Sequence, residues 1–368
     1  MRQITTEQFK QAVALDPASA SRFTEPVAIT DYCDMSGTEI THLSPLLHFT
    51  GRDGEGRSAD FTKCKNLNVA EGNFSGSVDF SGSGIERIGQ ISIAAPNNNG
   101  NAADFYGCRN LKVAEGRFPG SVSFFKSGIG QIGELIITAP SRGGSAVSFD
   151  HCSNLKVAEG NYPGSASFTK SAIERIGNLC ITYADPEDVV AYFDGCEKLE
   201  VAEGTFPGAV TFSGSGIRRI GDLIVGATDM DGIAAYFDAC ENLEVAEGTF
   251  PGAAIFYQSG ILKIGDLVIT SPNSEGVAAD FACCPNLKVA EGTFPGSVIF
   301  DASGIVRIDK LRVIDLDTFG RSATFLKCQG LRCVPEDLLF DPTCKFDPCV
   351  FRRRATQDAL QRQPDMHI

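Results

Sequence analysis

The chain has 368 residues and a formal net charge of −14 at pH 7. This charge argues against binding to nucleic-acid phosphates or to anionic lipid, since both require a cationic surface. No stretch approaches the roughly 18 consecutive apolar residues of a membrane-spanning helix, so the sequence predicts no membrane span.

Residues 1–25 are predicted to form an N-terminal cap. The segment TTEQFKQAVALD contains Thr followed by Glu at a spacing like that of a capping box, which predicts a short helix. The start, MRQITTEQFK, lacks the apolar run of a Sec signal peptide. We therefore expect the protein to be cytoplasmic, or to be secreted into a host cell without such a signal. In the second case, residues 1–25 are also a candidate secretion signal.

Residues 26–335 contain an internal repeat. The letters VAEG begin at Val69 and return every 44 residues up to Val289, and such a period is typical of solenoids and propellers. Phe61, Ile85 and Phe105 open successive half-repeats, which are therefore 24 and 20 residues long. Each half-repeat ends in apolar residues that alternate with a period of two, which predicts one short strand per coil. Stretches such as EGNFSGS and APNNNGN are predicted turns.

Periodic Phe and Cys residues are predicted to fill the interior. Three sets of Phe recur every 44 residues, beginning at Phe61, Phe74 and Phe80, with Tyr162 as the one exception. One set of cysteines does the same: Cys64, Cys108, Cys152, Cys196, Cys240, Cys284 and Cys328. Residues two coils apart are separated by about 10 Å, beyond the reach of a disulfide. The sequence therefore predicts stacked rings and free, buried thiols in a reducing compartment. About 14 stacked coils, in a 44-residue double repeat, are predicted to form a mainly β solenoid with short helical caps.

Residues 336–368 are predicted to form a C-terminal cap and tail, with helical pieces at PEDLLF and FRRRATQDALQRQ. The spacing Cys328-x4-Cys333 and Cys344-x4-Cys349 has the form of a zinc site. However, Cys328 and Cys333 occupy positions that the repeat assigns to the core, so we predict no metal. Pairing between Cys344 and Cys349 stays open.

The repeat also resembles a known family. The motif C-x-x-L-x-V-x-x-G-x-F, which begins at Cys64, is similar to the leucine-rich repeat pattern L-x-x-L-x-L-x-x-N-x-L. ADFTKCKNLNVAEG resembles the bacterial leucine-rich repeats of the Treponema type, and DMSGTEITHL resembles the strand and turn of other bacterial leucine-rich repeats. This resemblance implies a solenoid with a protein-binding surface. Gly in place of the usual Asn and the alternating coil lengths are departures that leave a β-helix-like coil open.

No catalytic motif appears in the sequence, and we predict no cofactor. The VAEG glutamates are expected at turn starts, where their carboxylates accept backbone N–H groups. TDMDGI at 228–233 and DPED at 185–188 lie one period apart and are a candidate for a shared weak Ca²⁺ site. The alternative to a binding protein is a β-helix carbohydrate-active enzyme. Such an enzyme would need acids on neighbouring coils and aromatic sugar platforms, and the absence of Trp argues against it.

The variable positions beside the core are predicted to form a partner-binding face. Position 68 and its equivalents, and position 90 and its equivalents, change between acidic, basic and amide side chains. Stacking in order would place four acids side by side about 5 Å apart, with basic residues on both sides. The predicted acidic centre comprises Glu200, Asp222, Glu244 and Asp266. The predicted basic shoulders comprise Lys112, Lys156, Lys288, Lys310 and Arg312.

The predicted function is a non-catalytic protein–protein interaction solenoid whose partner has a basic patch. Two settings fit the sequence: a secreted bacterial effector that contributes to virulence in host cells, or a cytosolic scaffold of the producing cell.

Overall fold

Parallel β-coils make up almost all of the described chain. The structure is a computed structural model that describes residues 1–182 and 189–331. Strands account for 40% and helices for 4% of the residues, arranged as a parallel β-solenoid of about 15 turns. The predicted mainly β solenoid is therefore confirmed. The predicted C-terminal cap and Cys333, Cys344 and Cys349 lie outside the described residues.

The described residues contain 29 strands, one α-helix and one 3-10 helix (Ser19–Ser21). In chain order the strands and the α-helix are β1 (Arg2–Ile4), α1 (Thr6–Leu15), β2 (Val27–Ile29), β3 (Cys33–Asp34), β4 (Leu47–Phe49), β5 (Arg57–Asp60), β6 (Val69–Phe74), β7 (Ser77–Asp79), β8 (Arg87–Ile93), β9 (Asn101–Asp104), β10 (Val113–Phe118), β11 (Ser121–Ser123), β12 (Gln131–Ile137), β13 (Ser145–Ser148), β14 (Val157–Tyr162), β15 (Ser165–Ser167), β16 (Arg175–Ile181), β17 (Ala191–Tyr192), β18 (Val201–Phe206), β19 (Val210–Thr211), β20 (Arg219–Val225), β21 (Ile233–Tyr236), β22 (Val245–Phe250), β23 (Ala253–Ile255), β24 (Lys263–Ile269), β25 (Val277–Asp280), β26 (Val289–Phe294), β27 (Ser297–Ile299), β28 (Arg307–Val313) and β29 (Ala323–Thr324).

The chain forms two compact units, each described by itself. Unit 1 comprises residues 1–199 and 204–208, and unit 2 comprises residues 200–203 and 209–368. Short strands form one continuous ladder in each unit, β3-β5-β7-β9-β11-β13-β15-β17 in unit 1 and β19-β21-β23-β25-β27-β29 in unit 2. Long strands form the sheet β1-β2-β4-β6-β8 and the pairs β10-β12 and β14-β16 in unit 1, and the pairs β22-β24 and β26-β28 in unit 2.

Each regular coil contains two strands, so the prediction of one strand per coil is wrong. VAEGNF forms the long strand β6, and SVD forms the short strand β7. The stretch EGNFSGS, which was predicted as a turn, therefore contains most of β6 and the first residue of β7. Buried Ala70 and Phe74 alternate with the half-buried Glu71 and Asn73, which is the period of a strand. Val78 of the short strand is also buried in the core. Burial of these apolar side chains favours the strands, although Gly and Ser are common in the segment.

The N-terminal cap contains the predicted helix. The Thr5 hydroxyl accepts a hydrogen bond from the Gln8 backbone N–H (3.3 Å), and the Gln8 side chain accepts one from the Thr5 N–H (2.9 Å). The capping box therefore uses Gln8, not a Glu. Phe9 of α1 is fully buried, with its ring centroid 6.4 Å from that of Phe49. The helix thus covers apolar side chains at the first coils, as an end cap must.

The stacked aromatic interior is confirmed. Two of the three Phe sets merge into one column, with centroids 5.3–5.5 Å apart from Phe61 to Phe193 in unit 1. From Phe212 to Phe325 in unit 2 the spacing is 5.1–5.5 Å. The third set meets this column edge-on. Tyr162 keeps its hydroxyl satisfied by donating to the Glu159 carbonyl (2.9 Å).

The periodic cysteines are free and buried, as predicted. Their thiols also make a hydrogen bond that the sequence did not indicate. Cys240 Sγ donates to the Phe212 carbonyl of the preceding coil (3.1 Å) and lies 3.6 Å from Ser215 Oγ. Burial raises the pKa of the Cys240 thiol to about 11, so it stays protonated and able to donate at neutral pH.

Candidate functional site: the outer face of the long strands

Each regular pair of long strands contains a β-bulge at the VAEG motif. In the pair β22-β24 the register shifts between Ala246 and Gly248, so that Glu247 alone faces Gly265 and Asp266 of the next coil. The repeated Glu therefore lies within a strand and is half-buried. The expectation that it lies at a turn start is wrong, because the strand continues through the bulge.

The bulge explains why Gly follows the repeated Glu. Gly248 has φ +109°, and a Cβ there would lie 3.3 Å from the Phe250 ring. A residue with a side chain would be strained in this backbone conformation and would push on a buried ring. The same positive φ, between 110° and 119°, is found at Gly72, Gly116, Gly160, Gly204 and Gly292.

The bulge also places two acidic residues opposite each other in the strand register. Glu247 faces the exposed Asp266 across the strand pair, and Glu203 and Asp222 hold the equivalent positions one repeat earlier. We call the set of these carboxylates in unit 2 the acidic stripe; it comprises Glu203, Asp222, Glu247, Asp266 and Glu291. Lys263, which pairs with Val245 two residues before Glu247, is an exposed cation close to the stripe.

The predicted acidic centre is only partly assembled. All four predicted acids are exposed, but the Glu244 carbonyl accepts a hydrogen bond from the Leu262 N–H (2.8 Å). Asp266 lies four residues after Leu262, which corresponds to about 13 Å in extended backbone. Glu200 is likewise beside Arg218, whose Nε lies 3.6 Å from its carboxylate. Four adjacent acids are therefore not found, because the two coils of a repeat are offset from each other.

The five predicted basic residues are all exposed: Lys112, Lys156, Lys288, Lys310 and Arg312. Lys156 Nζ lies 3.0 Å from the Glu174 carboxylate. Lys288 Nζ donates to a backbone carbonyl three residues earlier (2.7 Å). Asp309 and Lys310 both lie opposite Glu291 in the bulge, so a cation stands beside the carboxylates at that end of the acidic stripe.

The long-strand face of unit 2 also exposes large apolar side chains, which sequence reasoning missed. They are Ile224 (58% exposed), Leu262 (50%), Val268 (49%), Val306 (39%) and Ile314 (56%). In unit 1 the positions equivalent to Leu262 hold Glu86, Gly130 and Glu174. The solenoid core therefore does not require an apolar residue at the position of Leu262. The change from polar residues in unit 1 to apolar residues in unit 2 at this outward position could have indicated the apolar surface from the sequence.

A groove lies on the short-strand side of unit 1. This groove has a volume of about 380 Å³ and is lined by Asp79, Asp104 and several Ser and Asn side chains. Burial, and secondarily the Asp79 charge, raises the pKa of Asp104. Each carboxylate also accepts the backbone N–H two residues later, at 2.8 Å, from Ser81 and Tyr106 respectively. No described residue that lines the groove is aromatic.

The candidate Ca²⁺ site is not assembled in the described residues. The Asp229 carboxylate accepts the backbone N–H groups of Asp231 (3.0 Å) and Ile233 (2.9 Å), so it closes its own turn. The other half of the candidate site, residues 185–188, lies outside the described residues. Among the residues that the structure describes, no group of three or more His, Cys, Asp or Glu side chains is placed to hold a metal ion.

Comparisons with protein-family models, curated proteins and solved structures found no match. In the described part of the chain, no helix has the length and apolar character needed to cross a membrane.

Proposed function

We propose that the protein is a non-catalytic protein-binding solenoid, and that its partner binds the long-strand face of unit 2. The observation on which this rests is the group of exposed apolar side chains on that face, among them Leu262 and Val268. Exposed apolar groups surrounded by charges are typical of protein interfaces. Their burial against a partner would supply about 25 cal/mol for each Å² of apolar surface.

The partner's complementary surface has an apolar centre and basic side chains. Glu247 and Asp266 face each other across the bulge, and their mutual repulsion is reduced when a cation binds between them. Opposite charge would also accelerate association at low salt. The predicted residues of unit 2, Glu200, Glu244, Lys288, Lys310 and Arg312, are proposed to form the rim of this interface. Lys112 and Lys156 belong to unit 1 and are not part of this proposal.

The resemblance to Treponema-type leucine-rich repeats supports a binding surface, and it favours a secreted bacterial effector over a cytosolic scaffold. A fusion of residues 1–30 to a reporter enzyme tests this setting in a Gram-negative bacterium with and without its signal-peptide-independent secretion system. Export that depends on that system supports the effector, and retention in the producing cell supports the scaffold.

The repeat supplies substitutions that its own coils already accommodate. Leu262→Glu introduces the residue found at Glu174, Val306→Arg the residue found at Arg218, and Val268→Ser the residue found at Ser92. Each pair occupies equivalent positions, so the triple variant is expected to fold. Ile136→Ser is the matched control, because Ile136 is equally exposed (47%) but belongs to unit 1.

The test is quantitative affinity capture from host and bacterial lysates with the wild-type protein, the triple variant and the control. We expect at least one protein that the wild type and the control retain equally and that the triple variant loses. A second variant, Asp222→Asn with Asp266→Asn, should slow association with that protein at low salt and leave dissociation nearly unchanged. If the triple variant captures the same proteins in the same amounts, this face is not the interface.

A carbohydrate-active enzyme is the second candidate, favoured by Asp79 and Asp104 on adjacent coils of the unit 1 groove. Two carboxylates with different protonation can act as acid and base on a glycosidic bond. The lack of an aromatic platform among the described lining residues argues against it. Release of reducing sugar from a polysaccharide panel, abolished by Asp104→Asn, would support the enzyme, and no release would exclude these substrates.

A further inference from the structure

A basic pocket lies at one corner of the coils in unit 1. It has a volume of about 560 Å³, and the side chains of Lys65, Tyr106, Arg109, Asn110 and Lys126 line it together with small residues. No carboxylate is among the described residues that line it. In a chain whose net charge is −14, three cations around one concavity without an acid are a marked local reversal of charge.

The three cations are available to a ligand. Among the described residues, no carboxylate lies within 4.0 Å of the side-chain nitrogens of Lys65, Arg109 or Lys126. Lys126 Nζ lies over the Phe125 ring, 5.0 Å from its centroid. Lys65 Nζ donates one hydrogen bond to the Gly82 carbonyl (2.9 Å) and keeps its remaining protons for another acceptor. Three exposed cations at one pocket are the arrangement that binds a phosphate group.

One wall of the pocket is an aromatic ring with one free face. Tyr106 is 45% exposed, and its ring stacks on Phe125 at 5.4 Å and 9°. Phe125 is in turn covered on its other side by His151, at 5.2 Å. On the open side of Tyr106 the neighbouring coil reads Ser-Gly-Ser-Gly at 81–84, and these small residues leave room for a planar group. A single ring can therefore stack here.

The positive φ of Lys126 belongs to the fold. Lys126 has φ +55°, and the same corner has a positive φ in other coils, both at Gly82 and Gly107 and at non-Gly residues such as Lys170 and Gln258. The pocket is therefore distinguished by the cations that meet there together with Tyr106, and replacing Lys126 by Gly would relieve a steric penalty.

We propose that this pocket binds a nucleoside phosphate: the base stacks on Tyr106 and the phosphate groups contact Lys65, Arg109 and Lys126. Stacking on an aromatic ring is open to any base, whereas the cations require an anion. A long nucleic acid is a poor fit, because Phe125 is covered on both faces and the protein as a whole is strongly acidic. One base and its phosphate groups match the one free face and the one cluster of cations.

Isothermal titration calorimetry with ADP, adenosine and inorganic phosphate tests the proposal on the full-length protein. The variants again use residues from equivalent positions: Tyr106→Thr (as at Thr62), Arg109→Ser (as at Ser153) and Lys126→Gly (as at Gly82). Tyr257→Thr is the matched aromatic control. Tyr257 is a 38% exposed ring at the same kind of corner in unit 2, where Gln258 replaces the lysine.

We expect ADP to bind more tightly than adenosine or phosphate, and more weakly as salt is raised. Tyr106→Thr should weaken ADP binding by about 5- to 150-fold, and Arg109→Ser or Lys126→Gly by about tenfold each. Tyr257→Thr should bind like the wild type. Lys126→Gly should also unfold at a higher temperature, because it relieves the strain, so loss of affinity through misfolding would be recognised.

Three results would overturn the proposal. The first is no saturable ADP binding at low salt. The second is equal ADP affinity in the wild type and in a variant that combines Tyr106→Thr with Arg109→Ser. The third is single-stranded oligonucleotide binding many times tighter than ADP at the same pocket, which would identify a polymer site instead.

Discussion

Replacing the bulge glycine Gly248 by Ala is predicted to destabilise unit 2 strongly. Gly248 has φ +109°, which is unfavourable for any residue with a side chain and costs about 1–3 kcal/mol. The new Cβ would also lie 3.3 Å from the ring of Phe250. That ring is fully buried and can move only by disturbing the column beside it, which adds about 1 kcal/mol. Together these effects lower the free energy of unfolding by about 2–4 kcal/mol.

The periodic cysteines provide a local assay. Cys240 lies in the same coil as Gly248 and is fully buried, so it reacts with a thiol reagent only when that coil opens. A loss of about 2–4 kcal/mol corresponds to alkylation of Cys240 about 30- to 900-fold faster than in the wild type. Peptide mass spectrometry after timed alkylation measures this rate at each cysteine in one experiment. Cys108 of unit 1 is the internal reference and should change least, since coils interact with their neighbours.

Gly54→Ala is the control. Gly54 lacks a positive φ of this kind, and a Cβ there would have no atom within 4 Å. This variant should be neutral or slightly more stable, because Ala restricts the unfolded chain. The reasoning is refuted if Cys240 reacts at the wild-type rate in Gly248→Ala, since the bulge would then accept a side chain.

Three further predictions follow from the interior and from the exposed thiol. Phe237→Leu breaks two stacked contacts, at 5.5 and 5.2 Å, and should cost about 1–3 kcal/mol in urea unfolding; an unchanged midpoint would show that the stack contributes only its apolar area. Burial and the Asp79 charge raise the pKa of Asp104, so the stability this group contributes is complete at low pH and is lost as the pH rises through its folded pKa. Asp104→Asn should therefore stabilise the protein near pH 7 relative to wild type and by less near pH 4, as compared by urea midpoints; a difference that does not depend on pH would contradict this. Cys180 is exposed, so peptide mass spectrometry should find it alkylated well before any periodic cysteine of the native protein, and equal rates would mean that the coils open readily.

The interior could be predicted from the sequence because the repeat itself specifies it. A residue that recurs every 44 positions in an apolar column, such as Phe61 or Cys64, has to face the core in every coil. The alternation of 24 and 20 residues likewise follows from counting. The short N-terminal helix was predicted because its cap residue and apolar face lie close together in sequence, although the capping partner proved to be Gln8.

The outer face could be predicted only in part. A period states which residues are equivalent between repeats, but it does not state how the two coils within one repeat are aligned. That alignment depends on hydrogen bonds and on the bulge, which place Asp266 beside Glu247 and not beside Glu244. Short strands such as β7 were missed because they have only two to four residues and many contain Ser or Asp, which are also typical of turns.

The basic pocket could not be found by looking for periodicity, since its side chains occupy positions that vary from repeat to repeat. The positions equivalent to Lys126, for example, hold Gly82, Lys170 and Gln258. No repeated residue therefore marks the pocket in the sequence. Only the stacking of adjacent coils shows that its three cations and Tyr106 share one concavity.

Because the long strands are hydrogen-bonded in pairs, the pair is the smallest unit whose duplication in the gene would preserve the fold. In unit 2, β22 is hydrogen-bonded to β24 and β26 to β28, each as a separate pair. Duplication of residues 245–288 would copy one whole pair, β22 and β24. Each VAEG strand would then still be followed by a long strand of the second type. Duplication of a single coil would place two VAEG strands side by side, and neither would supply the additional residue that completes the bulge. Recombination should therefore lengthen or shorten such genes by whole pairs, so that alleles differ in repeat number while each surviving coil keeps its neighbours.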